Sequence, residues 1–265
     1  MSNSLGYVDK SKDIPEGCYL FSASSINNYF FNPNKFFRKV ILKEEVSEQT
    51  NSTILGTIVH HFASNYDRNY DEVEKEVIEF LEEYKSSESV DINYIKSKYP
   101  FMAQELVSYI KNFDIFEPTE RESSYLLKLT DRVYLGGTID VRYDNLLLDY
   151  KTTSNKYITT DTPIPDNYKL QLYTYLHLLH KNNVKIDKYG ITWISVPEYG
   201  RISEKTGKPL KDYPTNIVTN TEYIDLDCYN EVWKKIMLVA ENIEYILDNP
   251  NSLYLFAKDL ELKGK

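Results

Sequence analysis

Cysteine is scarce in this chain, whose 265 residues include only Cys18 and Cys228. Two thiols cannot form a disulfide framework or a four-thiolate metal site. An excess of basic charge is also missing, because the formal net charge is −9. This balance argues against a simple basic coat for nucleic acid. It does not exclude a local basic groove on an otherwise acidic protein.

Long apolar runs, internal repeats and glycine-rich phosphate loops are missing as well. No apolar run approaches the length of a membrane span, and no Walker-type loop or helicase motif is visible. Residues 1–12 are polar and lack an apolar signal segment. We therefore expect a cytoplasmic protein from a reducing compartment that has no membrane partner.

The composition predicts a substantial core, because 42% of the residues are hydrophobic and 14% are aromatic. The order of periodic patterns predicts an α/β domain with a mixed sheet. Helices are predicted over residues 22–29, 53–66, 70–84, 94–112, 168–180 and 227–247. Strands are predicted over residues 123–130, 133–143, 146–151, 189–196 and 217–226. The predicted organisation is a polar arm (1–21), one domain (22–250: helical part 22–116, sheet core 120–226, C-terminal helix 227–247) and a tail (251–265).

The most informative segment is the predicted β-hairpin over residues 133–151, with Asp144 and Asn145 as turn-prone residues. Side chains alternate faces along a strand. The alternation predicts that Asp140, Asp149 and Lys151 lie together on one face. It predicts that the opposite, apolar face carries Ile139, Val141, Leu148 and Tyr150.

Two carboxylates on a covered sheet face repel each other unless a cation lies between them. Mg²⁺ is a hard ion that prefers oxygen ligands, so Asp140 and Asp149 are candidate ligands. The alternative is a surface hairpin with one Asp149–Lys151 ion pair and a solvated Asp140. These three residues alone do not decide between the two interpretations.

Two pairs of residues with helical i, i+4 spacing lie upstream and downstream of the hairpin. Gly56 allows a close approach, and His60 carries an imidazole that can complete a metal site. Gln171 and Tyr175 can hold a phosphate or orient a lysine. Each pair alone is more simply a helix margin, and Glu122 alone is more simply an exposed acid at the end of a strand.

Taken in order, these residues resemble the RecB-like branch of the PD-(D/E)XK nuclease superfamily, over about residues 22–180. The pattern consists of Ser24-Ser25-Ile26 with Tyr29, Asn32-Pro33 and Phe36; Gly56 with His60; Glu122; Gly137 with Asp140; Asp149-Tyr150-Lys151-Thr152; and Gln171 with Tyr175. The resemblance implies a restriction-endonuclease-like core, which is a mixed central sheet flanked by helices, with a helical N-terminal portion.

The resemblance also implies a site for Mg²⁺ or Mn²⁺. Its ligands would be Asp140, Asp149, the carbonyl of Tyr150 and His60. Lys151 would position water and stabilise charge on the phosphate. Gln171 and Tyr175 would support the site or contact DNA, and Glu122 would complete the catalytic set.

Some relatives carry an iron–sulfur cluster on cysteines near the C-terminus and one cysteine upstream. The corresponding tail here, from Asn249 to Lys265, contains no cysteine. We therefore expect no iron–sulfur cluster in this protein.

The expected activity is metal-dependent hydrolysis of DNA, with an exonuclease favoured over an endonuclease. The resemblance implies action on single-stranded or duplex ends in repair, recombination or phage DNA processing, with a helicase or recombination factor as a possible partner. The composition, rich in Asn, Lys, Ile and Tyr, is associated with AT-rich genomes and with a phage-encoded protein in a bacterial host. The alternatives are a catalytically inactive nuclease fold that binds DNA or a protein, and an inhibitory protein whose acidic surface binds a partner.

A basic and aromatic segment near the N-terminus is a candidate for contact with the DNA backbone. Lys35, Arg38 and Lys39 could follow the phosphates, while Phe36 and Phe37 could stack on a base. The alternative is that the phenylalanines pack in the core and the basic residues form a solvated face. The lysines of residues 201–211 are a second candidate for backbone contact.

Overall fold

A computed structural model describes residue 5 and residues 14–44, 49–113 and 117–252. Within this part of the chain there are six strands and seven helices. The strands are β1 (Tyr19–Ser22), β2 (Glu120–Lys128), β3 (Val133–Tyr143), β4 (Leu146–Thr153), β5 (Lys188–Ser195) and β6 (Ile217–Tyr223). The helices are α1 (Ile26–Phe31), α2 (Pro33–Val40), α3 (Asn51–Ser64), α4 (Tyr70–Glu82), α5 (Ile92–Phe113), α6 (Asp166–Lys181) and α7 (Leu226–Asp248).

All six strands form one mixed sheet, with the order β1-β3-β4-β5-β6 and with β2 paired to β3. β1 is parallel to β3 and β4 is parallel to β5, while the other pairs are antiparallel. Helices cover both faces of the sheet. The predicted α/β class, with a mixed sheet and a helical N-terminal portion, is confirmed.

Strand β3 has a different partner at each end of one edge. β2 pairs with β3 from Tyr134 to Arg142 and so occupies the other edge. β1 pairs only with residues 133–136, and β4 pairs only with residues 141–143. Residues 137–140 therefore lie between two partners and have no strand beside them on that edge.

Two apolar cores lie on opposite faces of the sheet, because neighbouring residues of β4 point in opposite directions. Leu147 belongs to the core formed with α1, α2, α6 and α7. Leu148 belongs to the core formed with α3, α4 and α5. Burial on both faces predicts near-continuous apolar runs in central strands, as in β5, which is buried from Tyr189 to Ser195.

The N-terminal prediction is partly wrong. Tyr19–Ser22 form strand β1 instead of ending a polar arm, and α1 begins at Ile26 with Ser25 at the N-cap position. A four-residue strand gives too few alternations to be detected as a pattern. Residues 1–4 and 6–13 of the predicted arm, and residues 253–265 of the predicted tail, lie outside the described part of the chain.

The predicted apolar face of the hairpin is wrong at one residue. Val141, Leu148 and Tyr150 pack in the core beneath α3, α4 and α5, as predicted. Ile139 instead packs in the core beneath α6 and α7. The strand therefore changes face between Ile139 and Val141, at Asp140.

Among the described helices, none is both long and apolar enough to cross a membrane.

His177 gives a testable pH dependence of stability. Its ring is 2% exposed and stacks 3.7 Å from the Tyr229 ring, while Nε2 lies 2.8 Å from the Tyr229 carbonyl oxygen. Burial lowers the pKa of His177 from 6.5 to about 4. The unfolded state therefore binds this proton first as pH falls. The free energy of unfolding should drop between pH 6.5 and pH 4, by at most about 3 kcal/mol from this group.

We expect His177→Gln to show a shallower drop, because its amide can still donate to the Tyr229 carbonyl but does not titrate. Denaturant unfolding at a series of pH values measures this difference. Parallel curves for the two proteins would contradict the assignment.

Candidate active site

The site lies where β3 changes partner. After the pair Val141↔Leu148 the antiparallel ladder between β3 and β4 ends. The backbone N–H of Tyr150 is left without a carbonyl on β3 and donates instead to Asp140 Oδ2, at 2.6 Å. A buried N–H needs such a partner. The side chain of Asp140 therefore joins the two strands that carry the predicted motif.

Helix α3 brings an imidazole to the same carboxylate. His60 Nδ1 lies 3.3 Å from Asp140 Oδ1, and the two side chains are 31% and 10% exposed. Burial alone would lower the pKa of His60, but the charge of Asp140 and the hydrogen bond to it raise the pKa to about 9. Reciprocally, although burial opposes ionisation, His60 holds the pKa of Asp140 below its usual value. Asp140 is therefore a buried carboxylate with a cationic partner and is not solvated.

Glu122 joins this pair from β2. It has a φ of 45°, in the left-handed region, and the register of β2 with β3 skips it. Ser64 Oγ, at the end of α3, donates to Glu122 Oε1 at 2.9 Å. Ligand atoms of His60, Glu122 and Asp140 all lie within 4.8 Å of one another. Glu122 thus belongs to the cluster and is not an exposed acid at the end of a strand.

Lys151 and Asp149 form a buried ion pair beside this cluster. Lys151 Nζ lies 2.5 Å from Asp149 Oδ2, and their side chains are 19% and 5% exposed. The ammonium also lies 5.6 Å from the centre of the Tyr168 ring. Asp149 Oδ2 has no hydrogen bond of good geometry within the described residues, so the charge of Lys151 compensates it. The alternative of a surface hairpin with a solvated Asp140 is excluded.

Negative charge exceeds positive charge in this group. Burial, together with the charge of Asp140, raises the pKa of Glu122 to about 7. Burial also raises the pKa of Asp149 to about 6, although Lys151 acts in the opposite direction. Burial favours a neutral Lys151, but the two aspartates raise its pKa above the usual value. Like charges at short range disfavour one another, so the carboxylates would be stabilised by a further cation.

The donor set fits a divalent cation. It offers one imidazole nitrogen and carboxylate oxygens within a few ångströms of one another, which suits Mn²⁺ and, through the oxygens, Mg²⁺. An imidazole binds a metal only in its neutral form. A cation here would therefore compete with the proton of His60.

Gln171 and Tyr175 lie on the other side of the gap in β3, on helix α6. Gln171 Nε2 donates to Tyr175 Oη at 3.3 Å, and both residues are buried. The Tyr175 ring packs on Gly137, where an added Cβ would lie 2.7 Å from its Cε1. Tyr175 is 6% exposed, so its direct contact with DNA stays a prediction. The pair thus packs on β3 three residues before Asp140, and its support of the site stays a prediction.

Gly56 does not have the role that its spacing suggests. An added Cβ at Gly56 would meet only Thr152 Oγ1, at 3.8 Å, which is an ordinary contact. The position places α3 against the residue that follows Lys151.

The predicted stacking of a base on Phe36 or Phe37 is wrong. Their exposed fractions are 1% and 7%, and both rings pack in the core beneath α6 and α7. Arg38 pairs with Glu44, with Nε 2.5 Å from Oε2. The alternative that the phenylalanines pack in the core is therefore correct, while a DNA contact of Lys35, Arg38 and Lys39 stays a prediction.

Ser64 and Tyr168 are two residues of the site that sequence reasoning missed. Ser64 follows His60 by four residues on α3, a spacing that could have revealed it. Tyr168 lies in the first turn of α6, the helix that carries Gln171 and Tyr175. Its position over Lys151 depends on how α6 packs on the sheet, which no local pattern reveals.

A comparison with models of protein families identifies the family of the chain. The family model of the PD-(D/E)XK nuclease superfamily matches residues 20–237. The chain belongs to the PD-(D/E)XK nuclease superfamily. The fold of this nuclease superfamily agrees with the restriction-endonuclease-like core expected from the motif. A comparison with curated protein sequences found no match.

Solved structures match this chain at low sequence identity. A candidate exonuclease from Eubacterium rectale matches with a TM-score of 0.52 and 13% identity, covering 87% of this chain and 81% of its own. A phage-related exonuclease from Haemophilus somnus matches with a TM-score of 0.39 and 11% identity, covering 83% and 91%. LHK-Exo in complex with dAMP matches with a TM-score of 0.37 and 13% identity, covering 82% and 100%.

Two glycine substitutions test the packing of the site. Gly137→Ala should lower the free energy of unfolding by about 1–3 kcal/mol, because the new Cβ displaces the Tyr175 ring. Gly56→Ala is the control and should raise it by up to about 1 kcal/mol, since alanine favours a helix and meets no clash.

The cost of Gly137→Ala should shrink in a Tyr175→Leu background, because the two changes share one contact. Denaturant unfolding of the four proteins gives this double-mutant cycle. Equal costs in both backgrounds would show that the ring does not limit the position.

Proposed function

We propose that this protein is a metal-dependent nuclease that hydrolyses phosphodiester bonds in DNA. The observation that carries the proposal is the cluster of His60, Glu122 and Asp140 beside the buried Asp149–Lys151 pair. The membership in a nuclease superfamily supports it. A buried group of carboxylates with one lysine has little structural purpose of its own, since burying such charges costs several kcal/mol per ion.

We assign the metal to Asp140, Asp149, Glu122, His60 and the carbonyl of Tyr150. When bound, Mg²⁺ or Mn²⁺ supplies Lewis-acid stabilisation of charge on the scissile phosphate. Asp140 has a double task, because one oxygen accepts the Tyr150 N–H while the other faces His60. The acceptor bond fixes the carboxylate before any cation binds.

Lys151 acts on the phosphate directly. Its raised pKa keeps the ammonium protonated, and a fixed positive charge at a buried site stabilises the negative charge that develops in the transition state. Asp149 holds the ammonium in place at 2.5 Å. Gln171 and Tyr175 keep the wall of the site in position through Gly137.

The finer assignment is an exonuclease of the RecB-like branch that uses Mg²⁺ or Mn²⁺ without an iron–sulfur cluster. The ordered motif from Gly56 to Tyr175 supports the assignment to the RecB-like branch. With only Cys18 and Cys228, the sequence offers too few cysteines for a cluster held by four thiolates. We propose DNA ends as the substrate, in repair, recombination or phage DNA processing in the cytoplasm of a bacterial host. A helicase or recombination factor is the proposed type of partner.

A catalytically inactive DNA-binding module is the second candidate. The same buried charges could remain in a fold that has lost its activity. The complete set of acids and lysine favours the enzyme. Binding of DNA without cleavage in both Mg²⁺ and Mn²⁺ would favour the inactive module.

Removal of Lys151 or Asp149 tests the activity. Lys151→Ala and Asp149→Ala should each lower the rate of Mg²⁺-dependent DNA degradation by at least about 100-fold, because the first removes a positive charge from the transition state and the second removes a proposed metal ligand. A linear duplex with a labelled end and a closed circle, digested side by side, give the measurement. Full activity in either variant would contradict the assignment, and cutting of the circle would contradict a purely exonucleolytic enzyme.

Two neighbouring histidines of α3 test the metal site. Mn²⁺ at about 100 times its Kd should stabilise the protein by about 2.7 kcal/mol, and a chelator should reverse this gain. His60→Ala should weaken the effect, because the metal has one ligand fewer. His61→Ala is the matched control, since His61 Nε2 bonds Glu76 at 2.7 Å on another face of α3.

Thermal unfolding with and without Mn²⁺ measures this stabilisation without any substrate. The same stabilisation in wild type and His60→Ala would remove His60 from the ligand set. Equal losses in the two histidine variants would indicate a general effect on α3.

A further inference from the structure

Residues 198–213 form a hairpin that leaves the sheet between β5 and β6. Two bridges close it, Glu198↔Tyr213 and Ile202↔Pro209. The hairpin follows the end of β5, where Ser195 pairs with Thr153 at the end of the parallel strand β4. Lys151 lies only two residues before Thr153. The hairpin therefore rises from the same end of the sheet as the proposed catalytic lysine.

Two aromatic pairs lie at the base of this hairpin. The Tyr157 and Tyr213 rings are 6.1 Å apart with their hydroxyl oxygens at 3.0 Å, and Tyr157 is 75% exposed. The Tyr199 ring lies 5.2 Å from the ring of Phe101, on α5. Those two rings are 41% and 47% exposed and line an open cleft of about 410 Å³. Exposed aromatic surface of this kind marks a binding surface more often than a structural need.

Basic side chains lie beside the same rings, and one of them, Arg201, pairs with Glu198, with Nη1 2.8 Å from Oε2. Arg201 and Lys211 lie over the Tyr213 ring, with 5.7 Å and 5.5 Å to its centre. Burial lowers the pKa of Lys156, the charge of Glu198, 3.7 Å away, acts in the opposite direction, and the charges of Lys98 and Arg201 lower it further. Lys211 forms no ion pair within the described part of the chain, although the whole protein is acidic. Arg201 and Lys211 thus place positive charge against the ring of Tyr213.

We propose that Tyr157, Tyr199, Arg201, Lys211 and Tyr213, which we call the hairpin platform, bind a single strand of the DNA substrate. This inference rests on the proposed nuclease function. Aromatic side chains stack on bases whose faces are free, as in single strands, and cations follow the backbone. A duplex keeps its base faces inside the stack, so single-stranded DNA fits the platform better.

The distance from the catalytic lysine sets the length of strand involved. Tyr157 follows Lys151 by six residues, so their Cα atoms are at most about 20 Å apart. A stacked single strand that rises roughly 3.4 Å per nucleotide covers the largest such distance with about six nucleotides, and an extended strand covers it with fewer. An oligonucleotide clearly longer than this can occupy the platform and the active site together.

Binding of fluorescent oligo(dT) to the full chain tests the platform. A chelator is present to prevent hydrolysis, and fluorescence anisotropy is measured with strands of about 4 and about 20 nucleotides. Tyr157→Ala with Tyr213→Ala should weaken binding of the longer strand about tenfold or more, because the rings no longer stack on the bases. Binding of the shorter strand, which offers fewer bases for stacking, should be weaker than binding of the longer strand in the wild type. Tyr157→Phe with Tyr213→Phe keeps both rings and should bind like the wild type.

Salt dependence tests the cations separately. Replacement of Arg201 and Lys211 by alanine should lower the slope of log K against log salt by about 0.7 for each phosphate that the protein no longer neutralises. An unchanged slope would remove both residues from the platform.

The matched control is a similar pair at the opposite end of the sheet. Tyr223 is 71% exposed and Lys188 Nζ lies 4.4 Å from the centre of its ring. Lys188 pairs with Leu146, at the start of β4. Tyr223→Ala with Lys188→Ala should leave binding of the longer strand unchanged.

The platform is refuted if its double alanine variant binds the longer strand as tightly as wild type, or if the control pair loses as much affinity. Hydrolysis of thymidine 5′-(p-nitrophenyl) phosphate with Mn²⁺ reports on the active site independently, since this substrate cannot reach the platform. If the wild type hydrolyses this substrate and the platform variants bind the longer strand as tightly as the wild type, the platform is refuted and the nuclease proposal stands. Ring-dependent binding without hydrolysis in wild type refutes the nuclease proposal and leaves the platform as a DNA-binding surface.

Discussion

The interruption in the pairing of β3 is the constraint on which the rest of the site depends. One edge of this strand serves β1 at its start and β4 at its end, which leaves residues 137–140 without a neighbour. Backbone groups in a sheet that is covered on both faces must still find partners. The Asp140 side chain meets this need for Tyr150. His60 and Glu122 reach Asp140 from α3 and from β2.

The charges around this opening are balanced in pairs. Asp149 faces Lys151, and Asp140 faces His60, so neither carboxylate is buried alone. Glu122 has a hydroxyl partner, Ser64, but no cation of its own in direct contact among the described residues. Buried pairs of this kind add little to stability on balance. Their arrangement is better explained by chemistry at the site than by the needs of the fold.

Part of this architecture could be predicted from local patterns. Alternation predicted the shared location of Asp149 and Lys151, and i, i+4 spacing paired Gln171 with Tyr175. Local patterns could not predict β1, which is too short, or the change of face between Ile139 and Val141. The hairpin platform depends on the contact between Tyr157 and Tyr213, which are 56 residues apart in the sequence. Such contacts follow from topology and leave no periodic signal.

Glu122 shows that the chain is not optimised for stability alone. A residue with a side chain loses roughly 1–2 kcal/mol in the left-handed conformation that its φ of 45° indicates. Glycine would adopt this conformation without that loss. A search for stabilising substitutions would therefore select glycine here and would remove a carboxylate from the site. At this position, a gain in stability would be made at the expense of the proposed site.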